Sequence, residues 1–94
     1  MFVLILDYRR GPDAVEPYLP AHIDWLKDGY ARGLLLASGR QVPRTGGVIL
    51  ARGERAEVEA FAARDPFALH GVADYRIVEF APSMTAPGLE QLAQ

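Results

Sequence analysis

The sequence predicts an α+β fold, a four-stranded antiparallel sheet with two helices on one face, in the βαββαβ order of a ferredoxin-like domain. Three observations lead there. Four short apolar runs (Phe2–Tyr8, Leu34–Ser38, Gly46–Ala51 and Tyr75–Phe80) have the length and residue types of strands. Two longer segments, starting near Tyr18–Pro20 and near Gly53–Glu54, carry apolar residues at helical spacing. The resulting order of strand, helix, strand, strand, helix, strand packs most economically as one split βαβ sheet. With 94 residues there is material for one domain.

Phe2–Tyr8 is apolar on both alternating sets. Phe2, Leu4 and Leu6 point one way, Val3 and Ile5 the other, so both faces of this strand call for a cover. Arg9 to Pro17 reads as a loop broken by Gly11, Pro12 and Pro17. The first helix opens with proline, tolerated there because its missing N–H has no helical partner. Leu19, Ile23, Leu26 and Tyr30 fall at spacings of four, three and four and predict its buried stripe, and Gly33 supplies its C-terminal stop. The second and third strands read as a hairpin across the turn-rich Gly39–Thr45. The second helix runs to about Arg64, with Val58, Phe61 and Ala62 inward. Asp65-Pro66 then reads as an N-cap and first position of a short helix that Gly71 ends. Residues 1–82 are expected to form the domain and residues 83–94 a tail, with Leu89 and Leu92 on one short helical turn.

Charge and composition exclude several functions. Ten Lys and Arg against twelve Asp and Glu give a net charge of −2 and a pI near 5.6. A nucleic-acid partner normally requires a basic stripe, and here nine of the ten basic residues are scattered arginines, so no nucleic-acid partner is expected. The absence of cysteine removes disulfides, thiol nucleophiles and thiolate metal sites. No apolar run approaches the roughly 20 residues of a membrane span, nor does Phe2–Leu6 reach the length of a signal segment. A cytoplasmic location without membrane association is the expectation.

The residues able to do chemistry are few. His22, beside the apolar stripe of the first helix, titrates near neutrality in its unperturbed form. Asp65 can cap its helix with one carboxylate oxygen and orient an imidazole with the other. Ser38 ends the second strand and can hydrogen-bond a ligand at a pocket edge. Trp25 and Phe67 offer aromatic walls. Arg9 is a candidate for an anionic group, with Arg10 next to it. His70, at the end of the short helix, reads as a pocket-rim residue or a simple C-terminal charge partner. No spacing among His22, Asp65 and His70 has the signature of a metal site, and no phosphate loop or G-x-S-x-G nucleophile elbow is present. The expectation is no metal and no cofactor.

Three segments carry a family resemblance: Pro20-Ala21-His22 opening the first helix, Gly33 to Gly39 (GLLLASG), and Asp65-Pro66-Phe67 followed by Gly71-Val72. In order and spacing the chain resembles the YCII-related domain family over about residues 1–82. Two positions depart from the common pattern: Leu19 stands where an arginine often precedes Pro-Ala-His, and Arg40 stands where proline often follows the glycine after the second strand. The resemblance implies a ferredoxin-like fold of the dimeric α/β-barrel type, with His22 and Asp65 as an active-site pair and Ser38 beside them. It also implies cofactor-free proton-transfer or elimination chemistry on small, often aromatic or quinone-like molecules.

The expected function is therefore a cofactor-independent lyase, isomerase or dehydrohalogenase acting on a small molecule through a His22–Asp65 acid/base pair. The alternatives are a non-catalytic ligand-binding or accessory module and a heme- or oxygen-using relative. The doubly apolar first strand predicts a homodimer with sheets packed face to face.

Overall fold

A computed structural model of the protein describes residues 1–93. Its elements are β1 (Phe2–Tyr8), α1 (Pro12–Val15), a 3₁₀ turn (Glu16–Tyr18), α2 (Leu19–Ala31), β2 (Leu35–Arg40), β3 (Gly46–Ala51), α3 (Arg55–Ala63), α4 (Pro66–Leu69) and β4 (Ala73–Glu79), with a second 3₁₀ turn at Glu90–Ala93. The four strands form one sheet in the order β2-β3-β1-β4, and every pairing is antiparallel. This is the ferredoxin-like order the sequence predicts. No helix among the described residues is long and apolar enough to cross a membrane.

The core lies between the helices and one face of the sheet. Phe2, Leu4 and Leu6 alternate onto that face and are almost fully buried, together with Ile49 and Ala51 from β3 and Val58, Phe61 and Phe67 from the helices. Burying such side chains contributes about 1.5–3 kcal/mol each for the larger ones, before conformational entropy is counted. Val3 and Ile5 point to the other face, where the cross-strand neighbours Val48, Leu50 and Val78 join them. That face is only partly buried.

The loop expected over Arg9–Pro17 is largely helical. Pro12 sits in the first turn of α1, and the chain passes through the 3₁₀ turn directly into α2. Proline fixes φ near its helical value and its missing N–H costs nothing in a first turn, so these prolines start turns and do not break them. α2 ends as a Schellman motif: Leu34 N donates to Gly29 O and Gly33 N to Tyr30 O, both at 3.0 Å, while Gly33 takes φ +76°.

The buried stripe of α2 differs from the predicted one. His22, Trp25 and Gly29 face inward, whereas Ile23 and Tyr30 are about two-fifths exposed. Polar bonding turns the helix: the His22 ring meets Asp65, and Trp25 Nε1 donates to Phe61 O at 3.0 Å. Gly29 completes the stripe because a Cβ there would collide with the Phe61 ring and the Leu35 side chain.

One irregularity in β2 matters for the site. Leu35 pairs with Ala51, but Ala37 pairs with Leu50, a bulge of one residue. A bulge reverses the inward and outward alternation beyond it. Ser38 and Arg40 thereby come to lie opposite Ile49 and Gly47, on the helix-covered face, where regular alternation from the buried Leu35 would have placed Ala37 and Gly39.

Candidate active site

Asp65 is built into the start of α4. Its Oδ1 accepts from Phe67 N at 3.0 Å, the N-cap bond the Asp-Pro sequence predicts. The side chain is fully buried, which would be costly for a carboxylate without donors. Three donors surround it. Besides Phe67 N, His22 Nδ1 lies 2.7 Å from Oδ1 and Tyr75 OH donates to Oδ2 at 2.5 Å. Burial first, and then the charge and hydrogen bond of Asp65, push the Tyr75 phenol far above its ordinary pKa. Tyr75 is thus a permanent donor, and Asp65 is held as the acceptor between it and His22.

The His22 ring is fixed on its faces as well as its edge. It stacks on Phe67 at 4.0 Å between centroids with planes 9° apart, and on Trp25 at 5.5 Å. With Asp65 accepting at Nδ1, that nitrogen carries the proton and Nε2 is the basic one. Nε2 has no hydrogen-bond partner among the described residues, while no buried side-chain nitrogen or oxygen is left without one. Nε2 therefore reaches solvent, through the cavity that His22 lines.

This cavity has a volume of about 310 Å³, the scale of a one-ring molecule. Leu19, Ile23 and Leu26 of α2 wall one side, Leu6 and Ile49 form part of the floor, and Phe67 stands beside His22. The α2 residues predicted as core are thus in large part cavity wall. Gly46 and Gly47 leave bare backbone on the floor; a side chain on Gly46 would run into the carbonyl of Leu6. The polar lining is Ser38, Arg40, Arg44 and Tyr8 with His22 itself. Among the described residues, no three His, Cys, Asp or Glu side chains converge as metal ligands would.

The sequence-predicted residues separate clearly. His22 and Asp65 meet, Phe67 and Ser38 line the cavity with His22, and Asp65 lies behind the ring. Trp25 is not a cavity wall: its indole stacks on Phe61 at 4.3 Å and sits behind His22, because its N–H is drawn to the end of α3. Arg9 lies outside the cavity, its exposed guanidinium 3.5 Å from Asp74, since the strand end directs it away. His70 also lies outside, stacked on Tyr18 at 4.1 Å. Sequence reasoning missed Tyr75, Tyr30, Tyr8 and Arg44. A tyrosine on the inward set of β4 signals a need for a buried partner, which was the available clue to Tyr75. Tyr30 OH lies 2.7 Å from Ser38 Oγ and holds that hydroxyl in place.

The sequence pattern of the YCII-related domain matches residues 1–81. No curated protein matches the chain at a significant level. Among solved structures, 5-chloro-2-hydroxyhydroquinone dehydrochlorinase from Burkholderia phenoliruptrix, in complex with 2,5-dihydroxybenzoquinone, has the same fold, with a TM-score of 0.68. The two are 19% identical over 85% of this chain and 93% of that one. With the domain pattern running through β1, the His22 helix, the Asp65 cap and β4, this chain belongs to the YCII-related domain family.

Proposed function

We propose that this protein is a cofactor-independent acid/base catalyst for a small cyclic molecule, of the lyase, isomerase or dehydrohalogenase type. The observation that carries the reading is the His22–Asp65 pair: a buried carboxylate fixes Nδ1–H and leaves basic Nε2 facing an apolar cavity. In the reaction, Nε2 takes a proton from the substrate, and the imidazolium that forms is stabilised by Asp65 at 2.7 Å. For isomerisation the same proton returns to another atom of the substrate. For elimination from the keto form of a hydroxylated ring, the electron pair of the broken C–H or O–H bond forms the new π bond, the leaving group departs from the tetrahedral carbon with its own bonding pair, and the proton passes from His22 to solvent. Neither course requires an electron acceptor. Ser38, braced by Tyr30, hydrogen-bonds the substrate, and Phe67 packs on its ring. The dehydrochlorinase that shares the fold carries out a reaction of the elimination class on a hydroxylated ring, which supports the same class here.

The working unit in this reading is a homodimer, two sheets meeting through the face that carries Val3, Ile5, Val48 and Leu50.

The test is turnover of chlorinated and hydroxylated quinols, with halide release and proton exchange as readouts. His22→Gln is expected to lose about 10²–10⁴-fold of any rate found; a loss below about threefold removes His22 as the base. Stoichiometric binding with the compound recovered unchanged would assign the cavity to ligand sensing or delivery.

A further inference from the structure

We infer that the cavity selects an anionic ligand, whose negative group is held by Arg40 and Arg44 while its ring lies against His22 and Phe67. The inference rests on the reading of this cavity as the substrate site, and it names the substrate class.

Charge in the lining is one-sided. Arg40 and Arg44 line the cavity, and no Asp or Glu does. Asp65 stands behind the imidazole with both oxygens already accepting. A concave apolar site lined by cations alone concentrates anions.

Both guanidinium groups are available. Arg40 has no carboxylate within ion-pair distance among the described residues. Arg44 has one, Glu16, at 3.5 Å, with both side chains about half exposed. Such a pair contributes little and yields readily to a better-placed anion.

Both groups are also aimed. The β2 bulge sets Arg40 opposite Gly47 on the cavity side of the sheet, and Gly47 has no side chain to cover it. Arg44 lies over the Tyr8 ring, 6.0 Å from its centroid, and Tyr8 meets Phe67 edge-on at 5.9 Å. Since Phe67 stacks on His22, one aromatic path runs from the arginine to the base. A carboxylate or enolate oxygen suits the guanidinium fork, which binds such groups in paired fashion. Negative charge that develops on the ring as His22 removes a proton would fall in the same field.

The experiment uses the full chain and two probes of equal shape, benzoate and benzamide, titrated calorimetrically and by NMR at neutral pH. Benzoate is expected to bind at least about tenfold tighter than benzamide, and to weaken as salt is raised. Arg40→Gln and Arg44→Gln should each remove most of that preference, weakening benzoate far more than benzamide, and leave thermal unfolding unchanged, since both side chains are exposed. Equal binding of the two probes, no binding of either, or a preference that survives both substitutions would overturn the inference. His22→Gln separates it from the catalytic reading. If that variant keeps turnover and also keeps the benzoate preference, the base assignment fails and the anion site stands. If His22 proves essential while benzoate shows no preference, the anion site alone fails.

Discussion

Asp65 Oδ1 lies 2.7 Å from His22 Nδ1 and 3.0 Å from Phe67 N, so one carboxylate oxygen both caps α4 and orients the imidazole of α2. The helix cap and the candidate base are therefore a single unit, and the ring stacked on that base belongs to the residue whose N–H is capped.

Asp65→Asn should separate charge from geometry. Oδ1 serves both Phe67 N and His22 Nδ1, so an Asn carbonyl in its place keeps the cap and still accepts from Nδ1–H. The amide N–H₂ then takes the place of Oδ2 and faces Tyr75 OH, which must turn its own hydrogen away. Stability should fall by about 1–3 kcal/mol from these disturbed buried donors. The tautomer stays, but the imidazolium formed in the reaction loses its counter-charge, so activity should fall about 10–100-fold while the ¹⁵N pattern of the His22 ring keeps Nδ1 protonated. Full activity in the variant would show that the Asp65 charge does not support the base.

Most of the fold is legible in the sequence because periodicity and punctuation agree. β3, the inward set of α3 and the Asp65 cap fall where the pattern places them. What escapes the pattern is set by single polar contacts and by the bulge. The apolar stripe Leu19–Ile23–Leu26 marks a wall against ligand space, and hydropathy alone does not distinguish such a wall from core. The β2 bulge shifts Ser38 and Arg40 to the cavity side, and nothing in the alternation of GLLLASG marks it. Arg44 reads as one charge in a mixed surface until the hairpin folds it over Tyr8.

Tyr75→Phe should change how stability responds to alkali. In the unfolded chain a tyrosine ionises near pH 10, about its ordinary value. In the fold its pKa is raised by burial and by Asp65. A raised pKa contributes stability that is complete below about pH 10 and lost above it, because the unfolded state sheds a proton the native state keeps. The wild type should lose about 1.4 kcal/mol per pH unit from this group in the alkaline range. Tyr75→Phe should be less stable at neutral pH by about 1–3 kcal/mol, having left Asp65 short of a donor, and the gap should narrow as pH rises. Urea midpoints at neutral and alkaline pH measure both effects; parallel curves would show that Tyr75 titrates as it does in the unfolded chain.

Gly46→Ala should disturb the cavity floor from below. The added Cβ has no room beside the Leu6 carbonyl, and Gly46 has φ +155°. β1 and β3 must part locally, with a loss of about 1–3 kcal/mol. Because Leu6 and Gly47 both line the cavity, ligand affinity should fall along with stability. A variant as stable as the wild type would mean the hairpin adjusts without separating the strands.

The outer face of the sheet leads to the last prediction. On this face Val3 lies between Leu50 and Val78, and Ile5 between Val48 and Arg76, and no helix of the described residues covers them. The five apolar side chains form a patch, bordered by Arg76 on the β4 side, on a domain of 10.3 kDa. Small domains gain much from sharing such a surface, since alone they bury a modest fraction of their area. A second copy supplies the same surface in return, the self-complementary geometry of a two-fold dimer. Sedimentation at micromolar concentration should therefore show a species of twice the chain mass. Ile5→Lys, which puts a charge at the centre of that face without touching the core on the other side, should yield monomers. The His22–Asp65 pair belongs to the opposite face, so the variant should keep the His22 ring signature of the wild type. A wild type that sediments only at 10.3 kDa would show that the face stays open to water and that the chain works as a monomer.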